Sequence, residues 1–221
     1  MLMNGRWNSI LSPGFLLSFL IFLALSSPNV NAQTYAISLK PGSMGLGFEG
    51  ARSFGPYYNV RIGYTFLNYD HTLEGDDEYV MDAELRMSAV TAYFDWFPTG
   101  GMFHLSSGLI YNMNDVTALL VPSQSHDVGG RIYTPDMLGS LKADLDFNRI
   151  SPYLGLGFGN AHGTLSGFTF DIGAMYHGAP DVSLSAQGLL EPSVEQAPVI
   201  ENNIGWFNFY PVVSVGYTYK F

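Results

Sequence analysis

From about residue 34 onward the chain alternates. Val213, Val215, Tyr217, Tyr219 and Phe221 share one parity, and Ser214, Gly216, Thr218 and Lys220 take the other. A strand sends successive side chains to opposite faces, so this segment has one aromatic face and one small, polar face. The pattern recurs. Tyr58, Val60, Ile62, Tyr64 and Phe66 oppose Asn59, Arg61, Gly63 and Thr65. Phe103, Leu105, Leu109 and Tyr111 oppose His104, Ser106, Gly108 and Asn112. Phe168, Phe170, Ile172, Ala174 and Tyr176 oppose Thr169, Asp171 and Gly173. A soluble sandwich also alternates, but its apolar face must meet a second sheet. Here the glycine-rich polar face suits the inside of a small barrel, and the aromatic face suits lipid.

Composition agrees. The chain is 47% hydrophobic and 15% aromatic but only 13% charged, against about 25% charged in ordinary soluble domains. After residue 32, no stretch is apolar for the roughly 18 residues of a spanning helix. The net charge of -10 excludes a nucleic-acid binder. With no cysteine there is no disulfide, thiolate metal site, cysteine nucleophile or lipoprotein anchor.

The first 32 residues read as an export signal. Arg6 is their only charge, an apolar core runs from Phe15 to Leu25, and Val30-Asn31-Ala32 supplies a small-residue exit. Cleavage is expected after Ala32. Residues 33–221 would form one domain, and losing Arg6 lowers the basic count from nine to eight against nineteen acids.

Turn signals place eight strands near 34–41, 44–54, 57–71, 82–97, 102–121, 138–159, 168–186 and 206–221. Short links at 55–56, 98–101 and 160–167 alternate with long ones at 72–81, 122–137 and 187–205. The expected fold is therefore all-β, an eight-stranded antiparallel transmembrane β-barrel. The short 42–43 turn breaks the rhythm. Two strands change hydrophobic parity partway, which predicts bulges near Ser88-Ala89 and Asn148-Arg149. Pro152, inside a strand, asks for such an irregularity.

The C-terminal pattern Ser214, Gly216, Tyr219 and Phe221 matches the signal read by the outer-membrane barrel insertion machinery. Ile150-Ser-Pro-Tyr-Leu-Gly-Leu-Gly-Phe158, Phe170-Asp-Ile-Gly-Ala-Met-Tyr176 and Gly178-Ala-Pro-Asp-Val-Ser-Leu184 resemble consecutive blocks of small Gram-negative outer-membrane barrels, the CarO-type channel proteins among them. That resemblance implies an eight-stranded barrel in the cell outer membrane and, more weakly, transport of small solutes. Lipid bilayer and lipopolysaccharide are the expected surroundings.

Parity puts Glu49, Arg61, Asp95, His104, Lys142, Asp144, Asp146, Asp171 and Lys220 inside or near the rims. Such charges must pair or meet water. Two readings stay open: a salt-bridged plug, and a narrow cation-preferring pathway, since acids outnumber bases and acidic linings favour cations. An eight-stranded interior is just wide enough for side chains to fill, which favours the plug. Glycines such as Gly155, Gly157 and Gly159 would make room within a tight lumen; no phosphate-binding helix follows them. Asp70, Glu74, Asp76, Asp77, Glu78, Asp82 and Glu84 form an acidic run without calcium-loop spacing, read as a solvated loop. No cofactor, metal or catalytic residue is expected: the five histidines lack ligand spacing, and no Gly-x-Ser-x-Gly elbow exists.

Overall fold

The computed structural model describes residues 35–75, 79–128, 131–159 and 165–221. The expected signal peptide, residues 1–32, lies outside them, as do Asp76, Asp77 and Glu78. Thirteen strands are described: β1 (Tyr35–Gly42), β2 (Gly45–Phe54), β3 (Tyr58–Gly75), β4 (Tyr79–Trp96), β5 (Phe103–Asn112), β6 (Asp115–Pro122), β7 (His126–Val128), β8 (Arg131–Tyr133), β9 (Leu141–Asp146), β10 (Ile150–Gly159), β11 (Ser166–Tyr176), β12 (Asp181–Ala186) and β13 (Phe209–Lys220). The helical pieces are α1 (Pro135–Leu138), a 3₁₀ segment (Gly188–Gln196) and α2 (Ala197–Ile204). No described helix is long and apolar enough to cross a membrane.

Eight of the strands close a ring in the order β1, β2, β3, β4, β5, β10, β11, β13 and back to β1, every neighbour antiparallel. The all-β, eight-stranded barrel expected from the alternation is the observed fold. The ring closes between the first and last strands, with Ala36 opposite Lys220 and Leu39 opposite Tyr217. The backbones of Tyr35 and Phe221 exchange hydrogen bonds of 3.3 and 2.9 Å, and their rings stack 6.4 Å apart. Outward-facing Ile62, Phe94, Leu154, Phe168, Ile172 and Tyr217 are all exposed and form an apolar belt around the ring.

The three longest expected strands are each two. The segment 102–121 divides at Met113-Asn114, 138–159 at Phe147–Arg149, and 168–186 at His177–Pro180. In each case one half stays in the barrel. The other halves, β6, β9 and β12, continue upward beside the first half of β4 and the end of β3. The result is a five-stranded leaf, ordered β3, β4, β6, β9, β12, rising from one side of the barrel. On the other side the rim is low, because β1 and β2 turn at Ser43-Met44 and stay paired from Tyr35 opposite Arg52 to Gly42 opposite Gly45. β2 last pairs β3 at Phe66. Leu67–Gly75 therefore runs on for about 30 Å of strand at ~3.3 Å per residue.

No bulge lies at Ser88-Ala89. β3 and β4 pair without a slip from Tyr58 opposite Trp96 to Gly75 opposite Tyr79. On its other edge β4 changes partner there, from β5 to β6, in one unbroken register. Met113 N donates to Ser88 O (2.9 Å), and Ser88 N donates to Asn114 Oδ1 (3.0 Å), which carries the ladder across the gap. The odd residues of β4 face inward throughout. Their character changes, from Leu85, Met87 and Ala89 to Thr91, Tyr93 and Asp95, because the interior itself changes from apolar to ionic. At Asn148-Arg149 the strand breaks outright. One residue is gained there relative to the β11–β12 side: Tyr153 pairs Met175, yet Asp146 pairs Asp181. Pro152 lies one residue beyond the last β10–β11 pair, where a missing N–H is tolerated.

Candidate functional site

The barrel interior holds a buried ion network. Lys40 comes from β1, Glu49 from β2, Arg61 from β3, Asp95 from β4, Ser106 and His104 from β5, and Asp171 from β11. All are inward by strand alternation and all are buried. Arg61 is the hub. Its Nε and Nη2 grip Asp95 in a two-point fork at 2.7 and 3.0 Å. Nη1 donates to Glu49 Oε2 (3.1 Å), and Nη2 also reaches Asp171 Oδ1 (3.2 Å) and Ser106 Oγ (3.3 Å). A planar guanidinium suits this several-sided task better than an ammonium. Lys40 Nζ completes the circuit, 2.7 Å from Glu49 Oε2 and 2.8 Å from Asp171 Oδ2. Ser106 Oγ donates to Asp95 Oδ1 (2.7 Å), and His104 Nε2 lies 3.1 Å from Asp171 Oδ1. Six of the eight walls are thus tied across the lumen.

Glycines make the space. A Cβ on Gly157 would collide with the His104 ring and meet Asp171 Oδ1 at 2.7 Å; one on Gly63 would meet Glu49 Cγ at 2.7 Å and Thr91 Oγ1 at 2.9 Å. One on Gly216 would collide with the Lys40 side chain. Gly155 and Gly173 clear the Tyr153 ring in the same way.

Above the ions, toward the leaf, lies an apolar layer of Met44, Ala89, Tyr93, Ile110, Tyr153, Met175 and Val212. Tyr93 joins the two layers: its ring packs 4.7 Å from that of Tyr153, and the Arg61 guanidinium sits 5.0 Å from its centroid. A cation held over a ring in a dry interior is attracted by about 2 kcal/mol. A void of about 30 Å³ lies between the layers, against the roughly 10–15 Å³ that one water needs. Arg61, Glu49, Asp95, His104 and Asp171, expected to face inward, form the network. Lys220 is also buried and inward, at the end where the termini meet.

Lys142, Asp144 and Asp146 lie elsewhere. They belong to β9, in the leaf, on the face turned away from the lumen side. Lys142 and Asp144 pair with each other at 2.7 Å, and Thr117 Oγ1 donates to Asp144 at 2.8 Å. Those bonds, Lys142's above all, hold the Asp144 carboxyl below the usual carboxylate range. The parity argument misplaced them because the strand breaks at Phe147–Arg149. Lys40 was missed, although Ile37 and Leu39 outward against Ser38 and Lys40 inward already carry the signal. Ser214 and Gly216 of the C-terminal pattern face the interior side of β13, while Tyr219 and Phe221 lie on its exposed face. In the acidic run, Thr72 Oγ1 donates to Asp82 Oδ1 (2.7 Å) and Arg86 pairs with Glu84 (2.9 Å), both on the leaf's outer face. No group of three or more metal-ligating side chains occurs among the described residues.

The ring and leaf together have a counterpart among solved structures. CarO from Acinetobacter baumannii superposes with a TM-score of 0.58 over 88% of this chain and 100% of its own, at 22% identity. The chain shares the CarO barrel fold. CarO2 of the same organism matches equally well, with a TM-score of 0.58 over 87% of this chain and 100% of its own, at 18% identity. No protein-family model and no curated protein sequence matches the chain. The resemblance drawn from the Ile150–Phe158 and Phe170–Tyr176 blocks thus falls on β10 and β11, two adjacent barrel strands.

Proposed function

We propose that this chain is an integral outer-membrane barrel whose lumen is closed by its ion network, a structural and surface-interaction barrel rather than an open pore. The membrane part rests on the exposed aromatic and aliphatic belt. It is borne by barrel strands of about ten residues, such as β2, β5 and β10, the length a tilted strand needs to cross hydrocarbon. The closure rests on one observation: ion pairs from five walls, joined by hydrogen bonds from a sixth, meet across the lumen beside a void of about 30 Å³. A conducting path needs continuous water, and the tyrosine–methionine layer stacked on the ions is a second, apolar obstruction.

The narrow cation pathway has one observation in its favour: three buried carboxylates face two permanent cations. Planar-bilayer recordings decide. The closed reading expects no discrete steps from the wild type, and leak conductance once Asp171→Asn and Lys40→Met remove the central bridges. Discrete, cation-selective wild-type steps that shrink in Asp171→Asn would replace it with the pathway. Protein recovered with outer membranes should begin at Gln33; recovery as a soluble periplasmic protein would overturn the membrane reading itself.

A further inference from the structure

The two sides of the leaf are attached to the barrel differently. On one side β3 and β4 run through unbroken, paired from Tyr58 opposite Trp96 to Gly75 opposite Tyr79. On the other, β9 and β12 pair with no ring strand and reach the ring through three chain breaks. These are 147–149 into β10, 177–180 from β11, and 205–208 from α2 into β13. His177 stands where the three meet. Its backbone N–H donates to Asn208 O (3.1 Å), and its carbonyl accepts from Asn148 N (3.1 Å). Its ring meets Phe147 edge-on at 4.7 Å and lies 5.4 Å from the ring of Phe207. Gly178 follows with φ +76, and a Cβ there would collide with the Asn148 side chain, so the first two links pack directly on each other.

The imidazole is thus a titratable group in an apolar box. His177 is 2% exposed, and its Nδ1 has no hydrogen-bond partner among the described residues. An imidazolium donates from both ring nitrogens, and a buried charge without acceptors is costly. No acid is placed to help. Asp146 and Arg149 flank the first link and Asp181 follows the second, all three exposed; the 205–208 link carries no charge. No ion pair reaches His177 among the described residues. The residue lies past Tyr176, the end of β11, and so outside the barrel wall. Burial holds its pKa below the ordinary histidine value, with the Gly178 backbone acting the other way. A group whose pKa is lowered on folding contributes stability above its unfolded pKa and loses it as pH falls through the folded one.

We propose that His177 is an acid-sensitive latch: neutral, it clamps the β9–β12 side of the leaf and the approach to β13 onto the barrel mouth; protonated, it leaves its aromatic box and frees that side while β3 and β4 stay fixed. The latch does not depend on whether the lumen conducts, so bilayer recordings and the experiment below fail separately.

Two reporters read it in barrels held in phosphatidylcholine vesicles. Trp206 lies 5.9 Å from Phe207, and Trp96→Phe removes the other tryptophan of the barrel. Between neutral and mildly acid pH the Trp206 emission should shift reversibly, with a midpoint below the ordinary histidine pKa of about 6.5. Amide exchange in Asp181–Ala186, corrected for the pH dependence of exchange itself, should accelerate toward about tenfold per pH unit below that midpoint. Tyr79–Trp96 should stay protected. His177→Phe fills the box and cannot charge, so both responses should vanish. His71→Gln, on the leaf but outside the box, should keep them, and a heat-modifiable gel shift shows which variants fold. A flat wild-type titration overturns the proposal. So does a response that survives in His177→Phe, which would belong to carboxylates such as Asp146 and Asp181, or one in which β4 exchanges together with β12. If His177→Phe does not fold, the His177 ring protons of the wild type, followed by NMR in detergent micelles, decide: they must titrate together with the Trp206 emission, and a separate midpoint overturns the latch.

Discussion

Replacing Arg61 with methionine removes the hub while keeping most of its volume. Asp95 is 1% exposed, and Arg61 is its one ion partner among the described residues. Glu49 and Asp171 would still hold Lys40, so the main loss is a stranded Asp95 carboxylate. Removing one member of a buried pair costs about 3–5 kcal/mol, mostly the cost of leaving the other charge dry and unpaired. With a urea dependence of about 2 kcal/mol per molar, the unfolding midpoint in vesicles should fall by roughly 1.5–2.5 M. The assay follows intrinsic fluorescence and the heat-modifiable gel shift in parallel. Adding Asp95→Asn to Arg61→Met removes the stranded charge and should return at least half of the loss, a coupling measurable as a double-mutant cycle. A midpoint within about 0.3 M of wild type, less than ~0.6 kcal/mol at that slope, would refute the idea that the network supports the barrel. So would a double mutant whose losses merely add.

Gly157→Ala pushes a methyl into the His104 ring and Asp171; it should cost about 1–3 kcal/mol by overpacking, while Gly167→Ala, where a Cβ meets nothing within 4 Å, should leave the urea midpoint in place. Trp206, 77% exposed just before β13, should lie at the outer interface, so in a Trp96→Phe background lipids brominated near the headgroup should quench it more than lipids brominated near the chain ends. Asn114→Ala removes the acceptor for Ser88 N and should destabilise by about 1 kcal/mol, with earlier hydrogen exchange in the leaf than in the barrel. Because Asp144 is held below the usual carboxylate range, chiefly by its bond from Lys142, its contribution is full at neutral pH and fades as pH falls below that range. Lys142→Met should flatten this acid-side dependence by less than about 1 kcal/mol, as the pair is solvent-screened.

The ring was legible because the barrel obeys one local rule, alternation, and because small residues face the interior wherever a long one must fit. Glu49, Arg61, Asp95, His104 and Asp171 followed from parity alone. The leaf was not legible. β5 and β6 share a single register along β4, so the gap at Met113-Asn114 leaves no hydrophobic trace. In the leaf the apolar row is the inner one, the reverse of the barrel, and so Lys142, Asp144 and Asp146, alternating with Leu141, Ala143 and Leu145, were counted inside. The apparent bulge at Ser88-Ala89 had the same origin, since a change of medium along one inward face looks like a change of face. Which charges touch was also beyond reach, because Arg61 meets Asp171, 110 residues away, only once the cylinder is shut.

That last dependence bears on how the barrel is made. The β3–β4 hairpin zips from Gly75 opposite Tyr79 and needs no distant partner, whereas Ala36 must find Lys220 across nearly the whole sequence. Loop-closure entropy makes the β1–β13 seam the slow and late event. Lys40 stands on β1, one side of that seam, and Asp171 on β11, one strand beyond the other. A seam shut one residue out of step would turn Lys40 toward the hydrocarbon and leave Asp171 without it. The 2.8 Å bond between them thus depends on the last two edges meeting in the correct register.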